Sequence, residues 1–146
     1  MKSTLLKVAS VALVCLMLFS LASCASDKSS AVEKAFTDEG YKVSKADASN
    51  ETVKPLLDIL LNEAQVEKAS EFEILLCVPD GVLNAVNTAI VIKFPSAGDL
   101  KDFLTTEKDG EKDTSTYDKA KEDGNINGNC LLMTLGDDAR TIFKKA

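Results

Sequence analysis

Six residues near the carboxyl end of the chain have the residue types and spacing of half a calcium-binding loop. The segment Asp123–Gly128 has the sequence Asp-Gly-Asn-Ile-Asn-Gly, with an oxygen-bearing side chain at every second position and glycine at the sixth. Calcium loops use this alternation to direct oxygen ligands at the ion. The twelfth position should supply a carboxylate but holds Thr134, and the ninth holds Leu131. We therefore favour an ordinary turn, in which glycine and asparagine are also common.

Cys77 and Cys130 are a second candidate pair, because two thiols can form a disulfide in an oxidising compartment. If the sheet predicted below has ferredoxin-like order, their strands lie at opposite edges, several spacings of ~4.8 Å apart. A disulfide requires Cα atoms ~5.5–6 Å apart. We therefore predict two small, partly buried free thiols.

The residues that the chain lacks exclude several classes of function. It contains no histidine and no tryptophan, and Arg140 is its only arginine. Histidine-dependent nucleophilic sites and the commonest metal ligand are therefore excluded, and an arginine-based phosphate clamp is disfavoured. A net charge of −6 also disfavours nucleic-acid binding. Paired carboxylates remain available in principle, but nearly all lie on predicted exposed faces, so the sequence predicts no enzyme, cofactor or metal site.

The amino-terminal residues have the pattern of an export signal. Lys2 and Lys7 precede an apolar stretch of 15 residues over 8–22, which is shorter than the ~20 that a spanning helix needs. The stretch ends in Leu21-Ala22-Ser23-Cys24. This tetrapeptide resembles the lipobox of bacterial lipoproteins, which implies a diacylglycerol on the Cys24 thiol and cleavage before Cys24. The alternative is an uncleaved N-terminal helix with Cys24 as an ordinary thiol.

The predicted domain organisation follows from this signal. Residues 1–23 are the cleaved signal peptide, 24–30 are the lipidated cysteine with a flexible polar tether, and 31–146 form a single domain. Residues 1–23 contain two lysines and no acid, so the remaining chain has 15 basic and 23 acidic side chains and a net charge of −8. In either interpretation of Cys24, the domain is held on the extracytoplasmic side of the membrane.

Apolar periodicity and capping residues predict alternating short helices and strands. Four helices are expected: one capped by Ser30 and Glu33, a long one starting between Glu51 and Pro55, one capped by Ser96 and Asp99, and one after Gly136-Asp137. The long helix has Val53, Leu56, Leu57, Leu60, Leu61 and Ala64 on one face. The expected strands are Tyr41–Ala46, Glu71–Val78, Asn87–Phe94 and Asn129–Leu135. The segment 105–116 is a predicted surface loop, and 117–124 is a possible edge strand.

This order matches the split βαβ of ferredoxin-like folds. We predict an α+β domain with a four-stranded, mainly antiparallel sheet in ferredoxin-like arrangement, extra N- and C-terminal helices, and helices packed mainly on one face.

The second face of the predicted sheet has few polar residues. Leu75, Cys77, Ala89 and Val91 lie opposite the residues that face the core. A face open to solvent would be more polar. We favour covering by the first or last helix. The alternative is a surface for a protein partner, because exposed apolar patches usually bind something.

The chain also resembles a loose group of small bacterial lipoproteins of unknown function. The similar segments are Gly40-Tyr41-Lys42-Val43, a strand ending at Phe94 before a helix with Ala97, Gly128-Asn129, and Gly136-Asp137-Asp138-Ala139. The resemblance supports the fold and implies no chemistry. The sequence thus predicts a membrane-anchored, extracytoplasmic lipoprotein acting as a non-catalytic interaction or structural module of the cell envelope. The alternative is a small-ligand or cation-binding module.

Overall fold

The computed structural model describes residues 27–81 and 86–146. Its helices and strands follow one another in a simple order. They are α1 (Ser29–Asp38), β1 (Tyr41–Ala46), α2 (Val53–Leu60), α3 (Glu63–Ala69), β2 (Glu73–Pro79), β3 (Ala89–Lys93), α4 (Ala97–Leu104), β4 (Thr106–Lys108), β5 (Glu111–Asp113), α5 (Ser115–Glu122), β6 (Ile126–Asn127), β7 (Cys130–Thr134) and α6 (Asp137–Lys145).

The main sheet has five strands in the order β1-β2-β3-β7-β6, and every neighbouring pair is antiparallel. The predicted α+β class with a mainly antiparallel sheet is confirmed. The number of strands is five rather than four, because β6 pairs with β7 as a short edge strand. Strands β4 and β5 form a separate hairpin.

The ferredoxin-like arrangement is not found. In a split βαβ unit the helix joins two parallel strands that have another strand between them. Here β1 and β2 pair directly and run antiparallel, with Tyr41 opposite Pro79 and Ala46 opposite Ile74. The reason is that two helices, α2 and α3, lie between them. The second helix returns the chain to the end of the sheet that it left, so β2 must run back along β1.

The predicted long helix is broken at Leu61 and Asn62. Leu61 has extended backbone angles, and Asn62 starts α3 with a capping box in which its side chain accepts from the backbone N of Gln65 at 2.9 Å. Because the helical phase restarts there, Gln65 is buried while Ala64 of the predicted stripe is exposed. In the stripe before the break, Leu60 is 41% exposed, whereas Leu61 packs partly buried against the core.

Helices cover both faces of the sheet, which corrects the expectation of helices mainly on one face. On one face α2 to α5 pack over the sheet around Leu57, Ile92 and Phe103. On the other, α1 and α6 pack side by side over a second apolar cluster. The domain is thus a three-layer arrangement with the sheet in the middle.

Two segments between α4 and β6 differ from expectation. The predicted loop over 105–116 contains the β4–β5 hairpin, whose turn residues Asp109 and Gly110 have positive φ of 55° and 81°. Two positive φ values in a two-residue loop are typical of a type I′ hairpin turn. The possible edge strand over 117–124 is mostly helix α5.

The sheet has two opposite ends, which we name by the residues found there. We call the end where β2 begins, β3 ends and β7 begins the Asp27 end, because Asp27 is bonded to Asn129 there. We call the opposite end, at Pro79 and Thr134, the far end.

Substitution of Asn62 tests whether the capping box stabilises the return of the chain. We expect Asn62→Ala to lower the free energy of unfolding by ~1 kcal/mol, because a helix donor loses its acceptor. Asn62→Asp keeps an acceptor oxygen and should have little effect. Urea denaturation measures both. Equal stability of Asn62→Ala and the parent chain would contradict the role given to this cap.

Candidate functional site

The segment Asp123–Gly128, favoured above as an ordinary turn, has a turn at Asp123-Gly124, strand β6 at Ile126–Asn127 and a second turn starting at Gly128, and its polar side chains are bonded to the protein. The Asn125 side-chain oxygen accepts from Arg140 Nε at 2.9 Å, and Asn127 Nδ2 donates to the Phe143 carbonyl at 3.0 Å. Asp123 pairs with Lys119 at 3.3 Å. Over residues 27–81 and 86–146, no cluster of three or more His, Cys, Asp or Glu side chains could hold a metal ion.

We expect calcium to leave the stability of the domain unchanged. A cation that binds only the folded state must raise the melting temperature. The Asn125 oxygen is already used by a guanidinium, and Asn127 presents its amide nitrogen to a carbonyl. Thermal melts in millimolar calcium and in EDTA should therefore coincide. A higher midpoint in calcium would contradict the assignment of this segment as a turn.

Cys77 and Cys130 are free thiols, as predicted, although the reason is different. Their strands flank β3 on either side and do not lie at opposite edges of the sheet. Cys77 lies opposite Ala89 and Cys130 opposite Lys93, four residues farther along β3. At ~4.8 Å per strand spacing and ~3.3 Å per residue, the two Cα atoms are much farther apart than a disulfide allows.

The two thiols are also chemically inert in the folded chain. Both side chains are fully buried. Burial, which disfavours the thiolate, raises the pKa of each of them to about 12. Since the thiolate is the reactive form, neither group is a nucleophile or a ready target for thiol reagents at neutral pH.

The apolar second face of the sheet is covered by the terminal helices. Its four residues are at most 1% exposed: Leu75, Cys77, Ala89 and Val91. Val32 and Phe36 from α1, together with Ala139 and Phe143 from α6, belong to the same buried cluster. The face is therefore not open to a partner, and the favoured expectation of helix covering describes it correctly.

The polar residue that organises the Asp27 end is Asn129. Its side chain is only 5% exposed. The side-chain oxygen accepts from the Lys28 backbone N at 2.8 Å, and Nδ2 donates to the Phe94 carbonyl at 2.8 Å and more weakly to Asp27 at 3.4 Å. The Asn129 side chain thus joins Asp27 and Lys28, at the start of the described chain, to the turn between β6 and β7.

Asp27 in turn lies two residues before the start of α1 and bonds to its first residue, Ser29. Its carboxylate accepts from the backbone N of Ser29 at 3.0 Å and from the Ser29 hydroxyl, and these two bonds lower the pKa of the Asp27 carboxyl. The helix therefore starts at Ser29, and the predicted cap at Ser30 is wrong. Residues 27–30, expected in the flexible tether, belong to the folded domain. Cys24 lies outside the described residues.

A shallow polar depression of about 360 Å³ lies beside Asp27 and Asn129. Glu73 and Lys93 face each other in it, with Lys93 Nζ 2.8 Å from Glu73 Oε1. The hydrogen bond from Lys93 lowers the pKa of the Glu73 carboxyl. Both Asp27 and Glu73 are therefore kept ionised, and neither is held protonated as a general acid would be.

Comparison with models of protein families, with curated proteins and with solved structures finds no match to this chain. Sequence reasoning missed the role of Asn129, which it placed as the first residue of the last strand. Its partners are up to 102 positions away in the chain, so no local spacing indicates them.

Removal of the Asn129 side chain tests its role at this end. Asn129→Ala leaves the Lys28 N–H and the buried Phe94 carbonyl without an acceptor or donor, so we expect a loss of about 2–4 kcal/mol in unfolding free energy. Asn50→Ala is the matched control, because exposed Asn50 accepts only local backbone bonds and should cost about 1 kcal/mol or less. Urea denaturation compares them. Similar losses would argue against a special role for Asn129.

Proposed function

We propose that this protein is a bacterial lipoprotein: a small domain attached through Cys24 to the extracytoplasmic surface of a membrane, acting as a non-catalytic interaction or structural module of the cell envelope. The observation that carries the proposal is Leu21-Ala22-Ser23-Cys24 at the end of the apolar stretch over 8–22, after Lys2 and Lys7. Basic residues, an apolar run and small residues at the cleavage point are the order of an export signal.

The chemistry of the cysteine explains why such an attachment would suffice. A single acyl chain binds a membrane weakly and reversibly, whereas two chains give stable attachment. A diacylglycerol joined to the Cys24 thiol supplies two. In the part of the chain that the structure describes, no helix is long and apolar enough to cross a bilayer.

A non-catalytic role is supported by the chemistry of the described residues. The three carboxyl groups with a shifted pKa, Asp27, Glu73 and Asp113, are all shifted downwards by hydrogen bonds. Both described thiols are buried, and the chain has no histidine. These properties suit a domain that acts through its surface.

Exposed apolar residues support a contact surface of this kind. Leu135 is 47% exposed directly after β7, and Val86 is 48% exposed with its carbonyl close to Gly136. Leu60, 41% exposed, lines a groove together with Thr134. Leu135 and Val86 are near the far end of the sheet, away from Asp27, whereas Leu60 and the 66% exposed Ile59 are on α2.

Replacement of Cys24 tests the attachment. In a bacterial host that processes lipoproteins, the full chain with Cys24→Ala should lose incorporation of labelled fatty acid, because the thiol that accepts the lipid is gone. Cys15→Ala is the matched control, since it removes another cysteine of the amino-terminal segment and should keep the label. Metabolic labelling and the intact mass measure this. Unchanged labelling of Cys24→Ala would overturn the proposal.

A further inference from the structure

The structure also indicates how the domain is oriented. We propose that the Asp27 end of the sheet faces the anionic phospholipid headgroups of the leaflet that holds the acyl chains, while the far end points away from the bilayer. This inference rests on the proposed attachment through Cys24.

The chain between Cys24 and the folded domain is short. Asp27 is fixed to the domain through Ser29 and Asn129, and only two residues separate it from Cys24. Three Cα–Cα steps of ~3.8 Å span at most ~11 Å. A domain on a seven-residue tether could rotate freely, but this distance is shorter than the sheet itself. The Asp27 end must therefore stay beside the headgroups.

Helices α1 and α6 meet the β6–β7 hairpin at the Asp27 end. The β6–β7 hairpin bonds to the amino end of α1 through Asn129, in its turn, and to the carboxyl end of α6 through Asn127, in β6. The last turn of α6 is thus brought to the same side as the attachment point.

The Asp27 end has several lysines close to the attachment point. Lys144 and Lys145 are exposed in the last turn of α6, and Lys28 is half-buried at the start of α1. At this end Asp27 and Glu73 are engaged by Ser29 and Lys93, whereas Asp47 after β1, Glu71 and Asp99 at the start of α4 are exposed, so this end has acids and bases in similar numbers. Basic residues close to an anionic surface contribute about 1 kcal/mol each.

The far end has more acids than bases, since its bases are exposed Lys42 at the start of β1 and Arg140, which pairs with Asp137 at 2.7 Å. Its exposed acids come from three segments: Glu39 after α1, Asp80 after β2, and Asp137 with Asp138 in the first turn of α6. The seven residues of β2 place this end ~20 Å from the Asp27 end. Contact of the far end with anionic headgroups would bring like charges together, so charge and chain reach favour the same orientation.

Two single-cysteine variants test the orientation without changing any charge. Ala146→Cys places a thiol at the Asp27 end and Leu135→Cys places one at the far end, ~16 Å apart along the direction of α6. Each full chain is produced in a host that processes lipoproteins and purified in its lipidated form. A fluorescent donor is then attached; native Cys77 and Cys130 are buried, and the Cys24 thiol carries the lipid.

The labelled proteins are added to vesicles of phosphatidylglycerol and phosphatidylethanolamine that contain a headgroup-attached acceptor. We expect greater loss of donor fluorescence at position 146 than at 135. Equal losses, or a greater loss at 135, would overturn the orientation even though the protein floats with the vesicles. Protein that lacks the lipid mass and does not float would overturn the attachment itself, and the orientation with it.

Discussion

At Asn62 the side-chain oxygen accepts a hydrogen bond from the backbone of Gln65, and the Gln65 side chain bonds back to the backbone of Asn62. The two bonds satisfy donors that a new helix leaves free, so α3 can begin with only two residues between it and α2. The Gln65 amide also donates to the Phe103 carbonyl at 3.4 Å, which ties the start of α3 to α4. Because α3 brings the chain back, β2 pairs antiparallel to β1, and the order of the sheet depends on this reversal.

Much of the fold could be predicted from local patterns. The Ser96 and Asp99 cap, the antiparallel pair of β2 and β3, and the C-terminal helix were read from the same kinds of residues that the structure uses. The Asn62 and Gln65 box is also a local pattern, but an apolar stripe continues through it, and the helical period of that stripe predicts one unbroken helix. The Asp109-Gly110 turn was missed in a similar way, because surrounding charge suggested an irregular loop.

The candidate site was less predictable, for a physical reason. The oxygens and amides that can bind calcium are the same groups that satisfy backbone donors and acceptors, so alternating asparagines fit both roles. Only the hydrogen bonds with Arg140 and Phe143, both in α6, distinguish the two roles for Asn125 and Asn127. The shortness of the link between Cys24 and the domain was hidden for the same reason, since Asp27 becomes part of the fold through Asn129, a residue about 100 positions away.

The position of β1 at the edge of the sheet affects whether two copies of the protein can pair through their sheets. Strand β1 is at the end of the sheet and has a strand on one side only within the described part of the chain. An open edge of six residues is a template for pairing with another chain. Its exposed side chains include Lys42 and Lys45, and burying such charges beside the same strand of a second molecule would be unfavourable. In the membrane attachment proposed for this protein, molecules in one layer would meet often, and these two lysines would disfavour pairing of their β1 edges.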